Sequence, residues 1–304
     1  MPWRIHLANR PLHRVDLLTN ARSCLLAAWS QPDRVSYFDA ETGAKLGDYH
    51  LTLDWLSLRS FDSWQAALED FAAPNSAYPP MLVSDGGIIY LNHSGARRLY
   101  VGSDGSLLLA NGTQETALTQ DTVHVIAMDR VSGLLALLDS EARLHLYQDG
   151  QEARQIPLDM QIIPNRRTGL VVAEGGDAVY VAHDHRLLHV NTTTETVETL
   201  DVHYHIGQFA SSPDGAFVAC ADTDTNVVRI YNGQGLSPLF QGHAVDLMVK
   251  APQLQLIADL PPARVAVSNM ALDHQGRLAF ALAGVVCMTN LESLQAVPKI
   301  HQFA

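Results

Sequence analysis

The chain has 304 residues, with a hydrophobic fraction of 47% and a charged fraction of 17%, enough apolar material for a full core and unlike a disordered segment. Its net charge of -12, from 32 acidic and 20 basic residues, repels phosphate backbones and anionic lipid, so nucleic acid and membrane are excluded as first partners. The N-terminus Met-Pro-Trp-Arg-Ile-His lacks the apolar run of a signal peptide, and no stretch of about 18 apolar residues occurs, so a soluble cytoplasmic protein is expected.

In chain order, residues 15–50 hold four short segments of strand character, at 15–18, 24–29, 34–38 and 45–50, the last two joined by the hairpin residues Asp39-Ala-Glu-Thr-Gly43. Residues 51–80 break this rhythm. There Phe61, Trp64, Leu68 and Phe71 recur at three- and four-residue spacing, which predicts a short helix near 60–72, stopped by the proline-rich stretch 73–80. The strand pattern resumes at 87–93, 97–102, 106–110 and 115–118, and again at 123–128, 134–138, 143–147 and 154–158, separated by Gly-containing turns. A further set begins at 161 or 170 and continues through 178–182, 187–190 and 196–200. Strands are also expected at 244–249, 254–258, 264–268, 277–282, 285–289 and 294–299.

The clearest unit spans 205–232. A strand at 206–210 meets the Ser-Pro-Asp-Gly turn 212–215, where Pro pre-sets φ and Gly supplies a positive φ, and strands at 216–221 and 227–231 follow. Aspartates expected in the turn between second and third strands fall at Asp33, Asp104, Asp139, Asp184 and Asp224, spaced by 71, 35, 45 and 40 residues. The last three spacings bracket the period of about 40 residues of a propeller blade. The predicted fold is therefore all-β: one β-propeller domain of six or seven four-stranded blades, seven slightly favoured, with the helical insertion between the first two recognisable blades. Closure of such a ring requires one blade built from both termini, which assigns the N-terminal segment 3–7 to the blade formed by 270–300.

The 205–232 unit resembles the WD40 repeat family. Gly242-His243 matches the dipeptide that opens such units, Asp224 matches the turn aspartate, and Tyr231-Asn232 stands where that family has Trp-Asp. Phe38-Asp39, Tyr147-Gln148 and Val190-Asn191 occupy the same place in other units. The resemblance covers roughly residues 14–50 and 87–300 and implies blades around a central channel and a role in binding proteins. An aromatic side chain ending the third strand fills the wedge between neighbouring blades.

Candidate chemistry is sparse. No Gly-rich phosphate loop, HExxH or Gly-x-Ser-x-Gly elbow occurs, and no catalytic residue or cofactor is assigned. His183, His185, His189, His203 and His205 lie within a short stretch, and the alternation of a strand would aim His183 with His185 and His203 with His205, a geometry open to a metal; scattered surface histidines are the competing reading. Cys24, Cys220 and Cys287 lack CxxC spacing and are expected to be buried, reduced thiols. Trp55, Phe61, Trp64, Phe71 and Tyr78 give the insertion the aromatic density of a binding hot spot, although packing of the helix onto the propeller accounts for them as well. The functional expectation is a non-enzymatic protein-interaction scaffold, a subunit or adaptor of a complex, whose partner carries a basic surface. The alternative is a metal-dependent lactonase- or esterase-like six-bladed propeller, with Glu174, Asp177 and Asn165 facing the channel.

Overall fold

A computed structural model describes residues 3–6, 14–50, 88–148, 151–244, 247 and 267–291, with short gaps at turns within these spans. An N-terminal strand, β1 (Trp3–His6), precedes five groups of four strands and one of three. The groups are β2 (Arg14–Thr19), β3 (Cys24–Gln31), β4 (Arg34–Asp39) and β5 (Lys45–His50); then β6 (Ile88–Leu91), β7 (Arg97–Val101), β8 (Leu107–Asn111) and β9 (Gln114–Thr119). Next come β10 (Val123–Met128), β11 (Leu135–Asp139), β12 (Arg143–Gln148) and β13 (Gln151–Pro157); then β14 (Thr168–Val172), β15 (Ala178–His183), β16 (Arg186–Asn191) and β17 (Val197–Asp201). The last two groups are β18 (Ile206–Ser211), β19 (Phe217–Asp222), β20 (Val227–Asn232) and β21 (Pro238–His243), and β22 (Val267–Leu272), β23 (Arg277–Leu282) and β24 (Val285–Asn290).

Each group pairs in sequence order as an antiparallel sheet, and β1 takes the vacant fourth place beside β24, with Trp3 opposite Met288 and His6 opposite Val285. The described residues thus form six four-stranded sheets, one of them built from both ends of the chain as expected. A sheet completed in this way has no open edge at β24 to recruit another strand.

Where side-chain burial is described, the second strands are the most buried and the fourth strands the least. Strands β11, β15, β19 and β23 are buried along nearly their whole length, whereas β17 and β21 alternate between half-buried and exposed. A strand covered on both faces needs no polar alternation. That explains the unbroken runs Leu-Ala-Leu-Leu in β11 and Val-Ala-Cys-Ala in β19.

First strands lie beside one another from sheet to sheet: β10 by β14, β14 by β18, β18 by β22 and β22 by β2. Each core cluster joins two sheets. Leu144 and Leu146 pack with Val179 and Leu188, Tyr180 and Leu187 with Val218 and Tyr231, Ala219 and Ile230 with Leu278 and Phe280, and Leu26 and Phe38 with Ala279 and Val286. Between the third of these pairs of sheets, β18–β21 and β22–β24, no further sheet is interposed. The wedge positions named from the sequence are all buried: Phe38, Tyr147, Val190 and Tyr231 each stand next to last in a third strand. The fold is all-β, an array of four-stranded antiparallel sheets of the kind a β-propeller is built from.

Several local expectations are corrected. Gly242-His243 closes the fourth strand β21 instead of opening a unit, because 238–243 pairs with β20. The segment 244–249 was expected as a strand, yet its described residues Ala244 and Leu247 are helical. The seventh blade expected from 243–265 falls almost entirely on residues outside those described. The insertion 51–80, with its expected helix, lies outside the described residues, as does the C-terminal strand expected at 294–299. Gly215 does adopt a positive φ of 68° in the Ser-Pro-Asp-Gly turn. Its carbonyl accepts a hydrogen bond of 2.8 Å from Tyr180 Oη, tying that turn to the preceding sheet.

Removal of residues 1–9 should expose the β24 edge and lower the melting temperature by roughly 5 °C or more, since each kcal/mol is worth about 2 °C in a large domain; an unchanged melting curve would show that β1 does not close the sheet. The three cysteines are free and buried, and burial pushes the thiols of Cys24 and Cys220 up to about 12. Native protein is therefore expected to react with a thiol reagent at neutral pH at least about a hundredfold more slowly than denatured protein. Rapid labelling of Cys220 in the folded state would contradict this packing.

Candidate functional site

The turns from second to third strand and the connections from each fourth strand to the next sheet share one end of the sheets. Register fixes this: the last residue of the second strand faces the first residue of the first, Asp139 opposite Val123, His183 opposite Thr168 and Asp222 opposite Ile206. This position is buried in all three sheets. A polar group there is cut off from water and must find partners in the turn itself.

Two of the three positions are carboxylates that do so. Asp139 accepts the backbone N–H groups of Glu141 and Arg143 at 2.9 and 2.8 Å, Arg143 Nε at 2.6 Å and His145 Nε2 at 3.0 Å. Burial pushes its carboxyl up, but hydrogen bonds from His145, Arg143 and Glu141 outweigh that and hold it below the usual carboxylate range. Asp222 accepts Asp224 N at 2.8 Å and Thr225 Oγ1 at 2.6 Å. Of the aspartates named from the sequence, Asp139 is therefore a turn former, whereas Asp224 only supplies a backbone donor to Asp222; Asp33 and Asp104 lie outside the described residues.

In the β14–β17 sheet the buried position is a histidine. Ile163 N–H donates to His183 Nε2 at 2.9 Å, so the proton sits on Nδ1, which donates to Thr168 Oγ1 at 2.7 Å; that hydroxyl in turn lies 2.5 Å from His124 Nε2. Burial, reinforced by His124, holds His183 below its ordinary value. Burial does the same for His124. His183 is consumed in this neutral network.

The turn carboxylate has moved one residue on. Asp184 occupies the left-handed region, φ 51°, which Asp tolerates better than most side chains, and its carboxylate reaches out to the next sheet. Asp184 Oδ1 accepts from His205 Nδ1 at 2.6 Å, and Oδ2 lies 3.7 Å from His185 Nε2. The rings of His185 and His205 are 4.0 Å apart between centroids, tilted by 37°. Arg166 Nε stands 3.5 Å from Asp184 Oδ1, and its guanidinium contacts His205 Nε2 at 3.4 Å. His185 Nδ1 donates to the carbonyl of Tyr204 at 2.8 Å. Below, Tyr204 Oη bonds Tyr231 Oη at 2.7 Å, and the Arg229 guanidinium lies 3.8 Å from the Tyr204 ring centroid, a cation–π contact.

The five-histidine group expected from the sequence therefore divides. His185 and His205 meet at Asp184; His183 turns inward although it shares the hairpin; His203 is exposed on the connection to β18. His189 stacks on Tyr180 and bonds Glu198 at 3.1 Å, within the sheet and away from this end. Asp184 and Arg166 were not singled out as site residues. The signal was present: a His-Asp-His hairpin and a histidine just before the next first strand must share one end of adjacent sheets. Glu174 and Asp177 are exposed in the β14–β15 turn, at the end opposite Asp184; Asn165 lies outside the described residues. So do Trp55, Phe61, Trp64, Phe71 and Tyr78. The fourth strands β5 and β21 end, and the first strands β6 and β22 begin, at the same end as Asp184, His185 and His205; residues 51–87 and most of 244–266, which link them, lie outside the described residues.

No protein-family model matches the chain, and no curated protein matches it. Among solved structures it is similar to Raptor of Chaetomium thermophilum, with a TM-score of 0.52 and 10% identity over 89% of this chain. The chain spans 23% of the length of that protein. It is also matched to the WD40 repeats of RRP9, with a TM-score of 0.48 and 11% identity, over 92% of this chain and 76% of that one. At 10% identity the likeness to Raptor is one of fold alone. No helix among the described residues is long and apolar enough to cross a membrane.

The Asp139 network yields a pH-linked prediction. The folded state holds this carboxylate more strongly than the unfolded chain, so its contribution is complete above the ordinary value of 3.8 and is lost as pH falls through that value toward the lower folded one. Asp139→Asn should cost about 3 kcal/mol at neutral pH, the scale for breaking a buried ion pair, and should flatten the loss of stability below about pH 4. Denaturation curves of both proteins between neutral and acid pH check this; an unchanged acid limb would exclude it.

Proposed function

We propose that the chain is a non-enzymatic scaffold, a single propeller domain over residues 1–304 that binds other proteins as a subunit or adaptor of a larger complex. The carrying observation is positional: the strand ends that the connections 51–87 and 244–266 must join lie at the same end of the sheets as the polar turns around Asp184. Connections vary freely in length and sequence where the strands beneath them stay fixed, and binding surfaces gather there. The insertion residues Trp55, Phe61, Trp64, Phe71 and Tyr78 are assigned to this surface as aromatic anchors. The net charge of -12 selects a partner with a basic face, whose association weakens with salt.

The test uses the full chain and a variant with residues 51–80 replaced by a short Gly-Ser loop, each cross-linked in extracts of its native host and analysed for bound proteins at low and high salt. Specific partners are expected on the intact chain and lost from the variant, with weaker recovery at high salt. Equal recovery by both proteins would remove the insertion from the interface, and a chelator-sensitive hydrolase activity of the purified chain would overturn the scaffold reading.

A further inference from the structure

We propose that Asp184, His185 and His205 form a binding site for a zinc-class divalent cation between the β14–β17 and β18–β21 sheets. One donor atom from each residue lies within 4.8 Å of the others, and a tetrahedral zinc site with bonds of about 2.0–2.1 Å places its ligands roughly 3.3 Å apart. His205 Nδ1 lies 2.6 Å from Asp184 Oδ1, shorter than this, and His185 Nε2 lies 3.7 Å from the other carboxylate oxygen, Oδ2, longer than this. Closing the longer distance and opening the shorter one calls for small side-chain rotations at the two imidazoles, which are 42% and 27% exposed.

The surroundings already orient the ligands. A carbonyl can only accept, so the bond from His185 Nδ1 to the Tyr204 carbonyl fixes the proton on Nδ1 and leaves the Nε2 lone pair facing Asp184. Metal-bound histidines are held by this kind of partner on the other ring nitrogen. The Tyr204 backbone is itself anchored, because its ring is clamped between Tyr231 and Arg229. Asp184 is only 15% exposed and so keeps its orientation. Two imidazoles with one carboxylate suit zinc, cobalt or nickel and not calcium or magnesium, which prefer all-oxygen shells. Three protein ligands leave a fourth position for water or for a donor from a partner.

Without metal, Arg166 balances the Asp184 carboxylate, and His205 spends its Nδ1 proton on the same oxygen. Metal binding requires Arg166, 42% exposed, to swing into solvent, and moves the His205 proton from Nδ1 to the Nε2 that Arg166 vacates. This gives the proposal a sign that a purely structural ion network does not share: removing Arg166 should tighten metal binding. If the cluster were only a salt-bridged turn, the same change would simply loosen it.

The experiment uses untagged full-length protein freed of metal by chelator and titrated with zinc, cobalt, magnesium and calcium chloride by calorimetry. Cobalt absorption serves as an independent report of coordination. One zinc or cobalt ion per chain should bind, with the intense visible bands of a low-coordinate cobalt site, and with no comparable binding of magnesium or calcium. Asp184→Asn, His185→Gln and His205→Gln should each lower zinc affinity by at least about tenfold, His203→Gln should leave it unchanged, and Arg166→Ala should raise it. Affinity should fall on acidification, because the imidazoles must be unprotonated to bind. Absence of cobalt bands in the wild-type protein overturns the proposal without recourse to any variant. Zinc binding that survives the three ligand substitutions, or that weakens in Arg166→Ala, overturns it too.

Discussion

A polar group buried at the close of a hairpin has no water to turn to, and three neighbouring sheets of this protein, β10–β13, β14–β17 and β18–β21, resolve that constraint where they pack together. Where the second strand ends, the side chain opposite the first residue of the first strand lies beneath the adjoining sheet. Asp139 meets the constraint with four donors drawn from its own turn and from the third strand, and Asp222 meets it with the backbone and hydroxyl of its turn. At the opposite end of the sheets Asp273, in the turn from β22 to β23, is buried as well and accepts Arg277 N and Nε and Gln275 N. These carboxylates set the hairpins' shape, and the hairpins set how closely one sheet sits on the next. An unpaired buried acceptor costs about 1–3 kcal/mol, so the donor sets are as much a part of the core as the leucines around them.

The β14–β17 sheet resolves the same constraint differently, and the candidate site follows from that difference. With His183 in the buried position, a neutral imidazole is satisfied by Ile163 N–H and Thr168 Oγ1, and the turn no longer needs a carboxylate beneath it. Asp184 is displaced to the tip, where its left-handed backbone aims it at the connection entering β18. An intrablade cap becomes an interblade tie. The Tyr204–Tyr231 hydroxyl pair and Arg229 hold the other side of that tie, so the cluster of Asp184, His185 and His205 rests on packed groups from two sheets.

Much of the architecture was legible in the sequence because strand ends coincide with residues of limited conformational choice. Strands 45–50, 123–128 and 277–282 have the boundaries expected from pattern alone, and the dipeptides Phe38-Asp39, Tyr147-Gln148, Val190-Asn191 and Tyr231-Asn232 do end third strands. The fourth strand β21 was missed, since Pro238–His243 is half-exposed at a sheet edge and carries Pro, Gln and Gly where a core strand has Val or Leu. The histidine group was harder for a different reason. Strand alternation says that His183 and His185 share a face, but the turn begins between them, and a turn abolishes the period on which that inference rests. Whether a turn aspartate points into its own hairpin or out to the next sheet depends on the residue before it. Here that residue is His183 and not another aspartate, and its effect appears only once the register opposite Thr168 is known.

The topology also explains why candidate function collects at one end. A hairpin joins neighbouring strands about 4.8 Å apart, whereas the connection from a fourth strand to the next first strand must run from rim to axis, across three such steps or about 14 Å. At the opposite end the turns are short and closed by their own side chains: Asp129 takes Ser132 N and Oγ and Gly175 N, Asn191 takes Thr193 N and Thr194 N, and Asn232 takes Gln234 N. The short connections that are described are themselves tied to the turns beneath them, Leu158 N–H to the Ala142 carbonyl, Val202 N–H to that of His185 and Ile206 N–H to that of Asp184. Long insertions such as 51–87 are tolerated there at a cost that grows only logarithmically with length. The end of the propeller that carries Asp184 is thus the end at which sequence can change without disturbing the strands.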